Sequence, residues 1–162
     1  MAVLSEPTAL PAASTPPYNP AVGTLFYAVD LYSNDLSNSQ AIALYGPVNT
    51  WKFDYTANGG NLTNFNDLFN YDPSNNGQRP TDVSGFNFDI SNWDVSGVTH
   101  MQKTFLKAKD FNQNIDSWDV SNVITTVEMF REAVSFNQDI SSWDVEALQT
   151  AEGMFQSATV FD

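Results

Sequence analysis

Residues 86–162 read FNFDISNWDVSGVTHMQKTFLKAKD (86–110), FNQNIDSWDVSNVITTVEMFREAVS (111–135), FNQDISSWDVEALQTAEGMFQSATV (136–160) and FD (161–162). The spacing is 25 residues each time, without a gap. Written one above another, the lines give columns of Ile90, Ile115 and Ile140; of Trp93, Trp118 and Trp143; and of Val95, Val120 and Val145. Further on come Phe105, Phe130 and Phe155, then Ala108, Ala133 and Ala158. Self-similarity at a fixed period of 20–50 residues is the mark of stacked repeat units, each unable to bury its apolar side chains alone.

Working outward, a degenerate copy precedes these three. Val48 and Trp51 keep the separation of Ile90 and Trp93, and Leu62, Phe65 and Phe69 match Val98, Met101 and Phe105. Insertions of about six residues near 55–61 and about eleven within 70–85 separate these anchors. All four tryptophans, Trp51 included, therefore fall in one column, and Phe69 joins the phenylalanine column. The pattern Ile-x-x-Trp-x-Val-x-x-Val has the spacing of a leucine-rich repeat. Trp and Val two apart point to one side of a strand. Val98, Met101, Phe105 and Ala108, spaced three, four and three, have helical periodicity. The expected fold class is a leucine-rich-repeat-like solenoid with a short parallel strand and a short helix or 3-10 segment per coil. It divides into an extended Pro/Ala-rich arm (1–23), an N-terminal cap (24–47), a degenerate first repeat (48–85), and three regular repeats with the start of a fourth (86–162). Within the cap, 25–32 is apolar enough for a strand or helix, and 39–45 followed by Gly46-Pro47 is a short helix with a glycine stop.

Two polar columns run alongside the core. Asn87, Asn112 and Asn137 form one; Asp94, Asp119 and Asp144 form the other. Carboxylates stacked at about 5 Å repel unless donors reach their oxygens. Both columns are expected to cap backbone N–H groups at the turns between segments. The competing reading, calcium bridging the ladder, lacks the glycine-rich calcium repeat, so no metal ligands are assigned. An exposed tryptophan column would instead be a docking strip. His100 is read as a surface residue, and Lys103, Lys107 and Lys109 as a solvated face pairing with acids of a neighbouring coil.

With 19 acidic and 6 basic residues, the formal net charge is −13. That opposes binding to nucleic acid and to anionic membrane surfaces. There is no cysteine and one histidine. No nucleophile elbow, phosphate loop or dinucleotide fingerprint is present, so no catalytic or cofactor residues are assigned and no enzyme is expected. The arm carries Pro7, Pro11, Pro16, Pro17, Tyr18 and Pro20. It is expected to bind other chains of an assembly, as is the final coil, which has no polar cap.

The unit F-N-Q-D-I-S-S-W-D-V continuing to M-F-x-x-A resembles the BspA-type bacterial surface protein repeat, a leucine-rich-like family also seen in Mycoplasma-type surface lipoproteins, marine algae and some viruses. The lead-in from Tyr45 to Trp51 looks like the segment that opens such arrays. The resemblance implies adhesion or surface interaction and carries over no catalytic residue. Two functions follow as expectations. The first is a capsid- or tail-associated component of a virus or phage particle, held by its arm, with the solenoid decorating the virion surface. The alternative is an extracellular or cell-surface adhesion module that contacts a host or matrix surface.

Overall fold

The computed structural model describes residues 3–4, 25–34, 39–53, 63–71 and 82–162. Among the described residues, all helix and strand lies before residue 54. Strand β1 (Val3–Leu4) pairs in parallel with β2 (Lys52–Phe53), with Val3 opposite Lys52. Helix α1 spans Leu25–Asn34, and Leu25, Phe26, Ala28, Val29 and Tyr32 are buried on it. Helix α2 spans Ser39–Tyr45 and stops at Gly46. There φ is +71° and the amide donates back to Ile42 O at 2.8 Å, the left-handed ending that glycine accepts without a Cβ clash. A 3-10 turn at Val48–Thr50 leads into Trp51. The Trp51 ring meets Tyr32 and Tyr45 edge-on and stacks on Trp93, 5.8 Å away.

From residue 63 onward the described backbone is turn and irregular structure, with single-residue parallel bridges from Asn64 to His100, His100 to Thr125 and Thr125 to Thr150. This corrects the expected fold class. No strand or helix occurs in any 25-residue segment from 86 onward, so the structure is not a leucine-rich-repeat-like solenoid of strand and helix. The reason lies in the backbone dihedrals. Lys103, Lys107, Glu128, Glu132 and Ser157 all have φ between +54° and +61°. A left-handed residue every fourth position breaks helical winding, which needs consecutive right-handed residues. The three-four-three spacing of Val98, Met101, Phe105 and Ala108 therefore comes from successive tight turns. Thr104 N–H donates to Met101 O, Leu106 N–H to Lys103 O and Ala108 N–H to Phe105 O.

Those turns use every second amide. The amides between them reach across to the following segment. Phe65, Asp67, Phe69 and Tyr71 donate to His100, Gln102, Thr104 and Leu106 carbonyls at 2.7–3.3 Å. Met101, Lys103, Phe105 and Lys107 donate to Thr125, Val127, Met129 and Arg131, each at 2.9 Å. Thr126, Glu128, Phe130 and Glu132 donate to Thr150, Glu152, Met154 and Gln156 at 2.8–3.0 Å. All twelve run the same way, from the earlier segment to the later. One bond per junction between later segments runs back, from Ile124 N–H to Thr99 O and from Gln149 N–H to Ile124 O.

Candidate functional site: ladders and the turn face

The aromatic side chains stand in files along the stacking direction. Trp51, Trp93 and Trp118 are buried, and Trp143 is half-buried. Each indole N–H finds a carbonyl behind it: Trp93 Nε1 donates to Val48 O at 2.9 Å, Trp118 to Ile90 O at 3.1 Å, and Trp143 to Ile115 O at 3.1 Å. Phe69, Phe105, Phe130 and Phe155 stack nearly parallel, with centroids 4.9, 5.2 and 5.5 Å apart. A second phenylalanine file, Phe111, Phe136 and Phe161, packs beside the first, with Phe105 and Phe111 centroids 4.1 Å apart. Ile90 and Ile115 are buried and Ile140 is half-buried. Close parallel rings at about 5 Å follow from the strand-like spacing of the backbones that carry them.

The polar columns lie at the surface. Asn87 Oδ1 accepts from the Asn112 amide at 2.9 Å and from Gln113 Nε2 at 2.8 Å; Asn112 Oδ1 does the same for Asn137 and Gln138. Asn137 Oδ1 accepts from Asp162 N–H at 3.2 Å. The aspartate column works inside its own segment instead. Asp94, Asp119 and Asp144 accept from the amides of Ser96, Ser121 and Glu146 at 3.0–3.1 Å, closing a turn each time. The hydroxyls of Ser96 and Ser121 add bonds of 2.7 and 2.6 Å. A third set, Asp89, Asn114 and Asp139, closes the preceding turn in the same manner. The bond from the Ser121 hydroxyl, with its amide, holds Asp119 below the usual carboxylate range, and the Ser91 hydroxyl and amide do so for Asp89. At Asp139 the Ser141 amide has the larger effect, then its hydroxyl. Among the described residues no cluster of three or more His, Asp or Glu side chains is arranged to hold a metal ion.

The left-handed residues Lys103, Glu128 and Glu132 bring their charged side chains to the surface. Lys103 Nζ lies 3.5 Å from Glu128 in the next segment. Arg131 bonds Glu128 and sits 3.6 Å from Glu132. The Arg131 bond, followed by the charges of Lys103 and Arg131, pulls the Glu128 carboxyl below its ordinary value. His100 is half-buried, not a plain surface residue, with Nδ1 2.8 Å from the Thr99 hydroxyl. In the third segment the column of Lys103 and Glu128 continues as Gly153, φ +62°. The missing side chain leaves a depression of about 410 Å³ across three segments, lined by Gln102, Lys103, Val127, Glu128, Glu152, Gly153 and Gln156. The aligned sequence contains this glycine, but only the geometry shows that the column faces outward.

The arm expected to bind partners, with Pro7, Pro11, Pro16, Pro17, Tyr18 and Pro20, lies outside the described residues. Of that stretch only Val3–Leu4 is described, and it pairs with β2 of its own chain. Among the described residues no helix is long and apolar enough to cross a membrane.

No curated protein and no solved structure matches the chain. A family model does match, over residues 73–162, and its description is Mycoplasma protein of unknown function, DUF285. This finding, with the absence of strands from the 25-residue segments, corrects the BspA-type leucine-rich assignment. It corrects the virus or phage particle reading as well, since neither the family nor any solved structure offers a virion component. The match covers more than half of the sequence, and the chain belongs to the family of Mycoplasma proteins of unknown function, DUF285.

Proposed function

We propose that this chain is a non-enzymatic binding module of a bacterial cell surface, which holds a protein or matrix partner on the face built around Lys103, Glu128 and Gly153. The observation that carries the reading is the depression there, formed by side chains from three successive segments whose backbones are tied together by directed hydrogen bonds. A face held in this way is preorganised, so docking orders few side chains and retains more of the contact energy. Its lining offers two carboxylates, one ammonium and two amides around a valine, which suits a polar peptide carrying at least one cationic side chain. The net charge of −13 supports such a partner and disfavours nucleic acid or an anionic membrane.

The test is binding of the purified chain to arrays of peptides and of glycans, with Glu152→Lys and Gly153→Arg as comparators. Saturable binding to cationic peptides that both substitutions remove is the expected result. Binding that both variants leave intact, or none at all, overturns the proposal.

A further inference from the structure

The asparagine column is set apart by what its hydrogen bonds leave uncommitted. The Asn112 amide and Gln113 Nε2 both donate to Asn87 Oδ1, and the Asn137 amide and Gln138 Nε2 both donate to Asn112 Oδ1. A backbone N–H can only donate, so the atom facing it must be the side-chain oxygen, and each asparagine amide is held in one orientation. The NH2 groups of the exposed Asn87, Asn112 and Asn137 have no acceptor among the described residues. Gln113 is committed the opposite way. Its Nε2 donates to Asn87 O at 3.0 Å as well as to Asn87 Oδ1, which uses both hydrogens and leaves Oε1 without a donor. Gln138 Oε1 has no donor either, and both oxygens stay open to solvent. A line of amide donors therefore runs beside a line of amide acceptors. The adjoining file of Phe111, Phe136 and Phe161 spaces their rungs, with centroids 6.0 and 5.8 Å apart.

We infer that Asn87, Asn112 and Asn137, with Gln113 and Gln138, form a binding strip for a neutral polysaccharide lying along the stacking direction. The arrangement of donors and acceptors selects the ligand. An extended peptide alternates N–H and C=O along a single edge, so it cannot set acceptors along one line and donors along a parallel one. Neighbouring hydroxyls of a sugar can, because each rotates to accept from an NH2 group or to donate to a carbonyl. A polysaccharide repeats that pair once per residue, over one ring and its bridging oxygen, a length comparable with the rung spacing. Charge narrows the class. Asp89 and Asp139 stand exposed two residues beyond Asn87 and Asn137, and their carboxylates repel uronate, sulfate and phosphate groups. The amides are already ordered by bonds that hold the segments together, so a ligand pays little side-chain entropy to engage them.

The strip shares no residue with the depression, so the two can fail separately. The experiment titrates the isotopically labelled full chain with cello-, malto- and chito-oligosaccharides, from disaccharide to hexasaccharide, and follows the side-chain NH2 resonances. Saturable shifts at Asn87, Asn112 and Asn137 with at least one series are expected, with affinity rising from disaccharide to tetrasaccharide as successive rungs are engaged. Asn112→Asp keeps an oxygen for the Asn137 amide and Gln138 Nε2 but removes the NH2 donor. It should leave the melting temperature close to that of the parent chain and weaken binding about 10-fold. Glu152→Lys and Gly153→Arg should bind the sugar as the parent does. No saturation with any series, equal affinity for disaccharide and hexasaccharide, shifts confined to the face around Glu128, or full binding by folded Asn112→Asp would each overturn the inference. The resonance map of the parent chain decides the matter should Asn112→Asp fail to fold.

Discussion

Trp118 is the most stringent test of the aromatic file. Its side chain is 2% exposed, its ring lies parallel to Trp93 at 6.5 Å, and its indole N–H is bonded to Ile90 O. Truncation to alanine removes about 150–250 Å² of buried apolar area, worth roughly 4–6 kcal/mol by area and about 3–5 kcal/mol by analogy with core aromatic truncations. The lost hydrogen bond adds little. Ile90 O keeps a second donor, the Trp93 amide at 3.0 Å, and is not left unpaired. Trp118→Phe keeps a ring in the file and should cost only about 1–2 kcal/mol. Trp143 is half-buried in the same file, so Trp143→Ala should cost about half of Trp118→Ala. Urea unfolding followed by the emission of the remaining tryptophans measures all three variants. A Trp118→Ala cost below about 1 kcal/mol, or one equal to that of Trp143→Ala, would refute the buried-file reasoning.

Backbone strain gives a second pair of variants. Gly153→Ala, at φ +62°, should destabilise by about 1 kcal/mol although the space for a Cβ is adequate, and Ser157→Gly, at φ +61°, should stabilise by about 0.5–1 kcal/mol; thermal melts decide both. For pH, Asp89, Asp119, Asp139 and Glu128 titrate lower in the fold than when unfolded, so their contribution is complete above the ordinary values of 3.8 and 4.5. It is lost as pH falls through the lowered folded values, so the melting temperature should hold from pH 7 to about 5 and drop below about 4. Because the Asp94, Asp119 and Asp144 oxygens accept from amides in their own turns, adding a chelator should leave the melting temperature unchanged; a large fall on calcium removal would show that the ladder binds the ion.

The 25-residue period is printed in the sequence because the same side chains must meet at every junction: Trp93 under Trp118, Phe105 under Phe130. The backbone path between those anchors was not legible. Lys103, Lys107, Glu128 and Glu132 adopt left-handed dihedrals that sequence reasoning reserves for glycine or asparagine, and nothing in a lysine or glutamate announces them. Their placement produced a three-four spacing indistinguishable from a helix by periodicity alone. The turn caps at Asp94 and Asp119 were readable because a carboxylate two residues before a serine has a local partner within reach. The depression at Gly153 was not, since alignment shows a missing side chain but not which way the column points.

The one-way ladder also decides how this chain answers a pull. Each later segment is fastened to the one before it by four forward backbone hydrogen bonds and one that runs back, and the chain enters and leaves a segment 25 residues apart. Tension applied through the two ends therefore reaches the junctions in turn, and each one that opens releases about 80–90 Å of slack at roughly 3.3–3.6 Å per residue. Stretched in a force spectrometer, the chain should lengthen in even steps of that size.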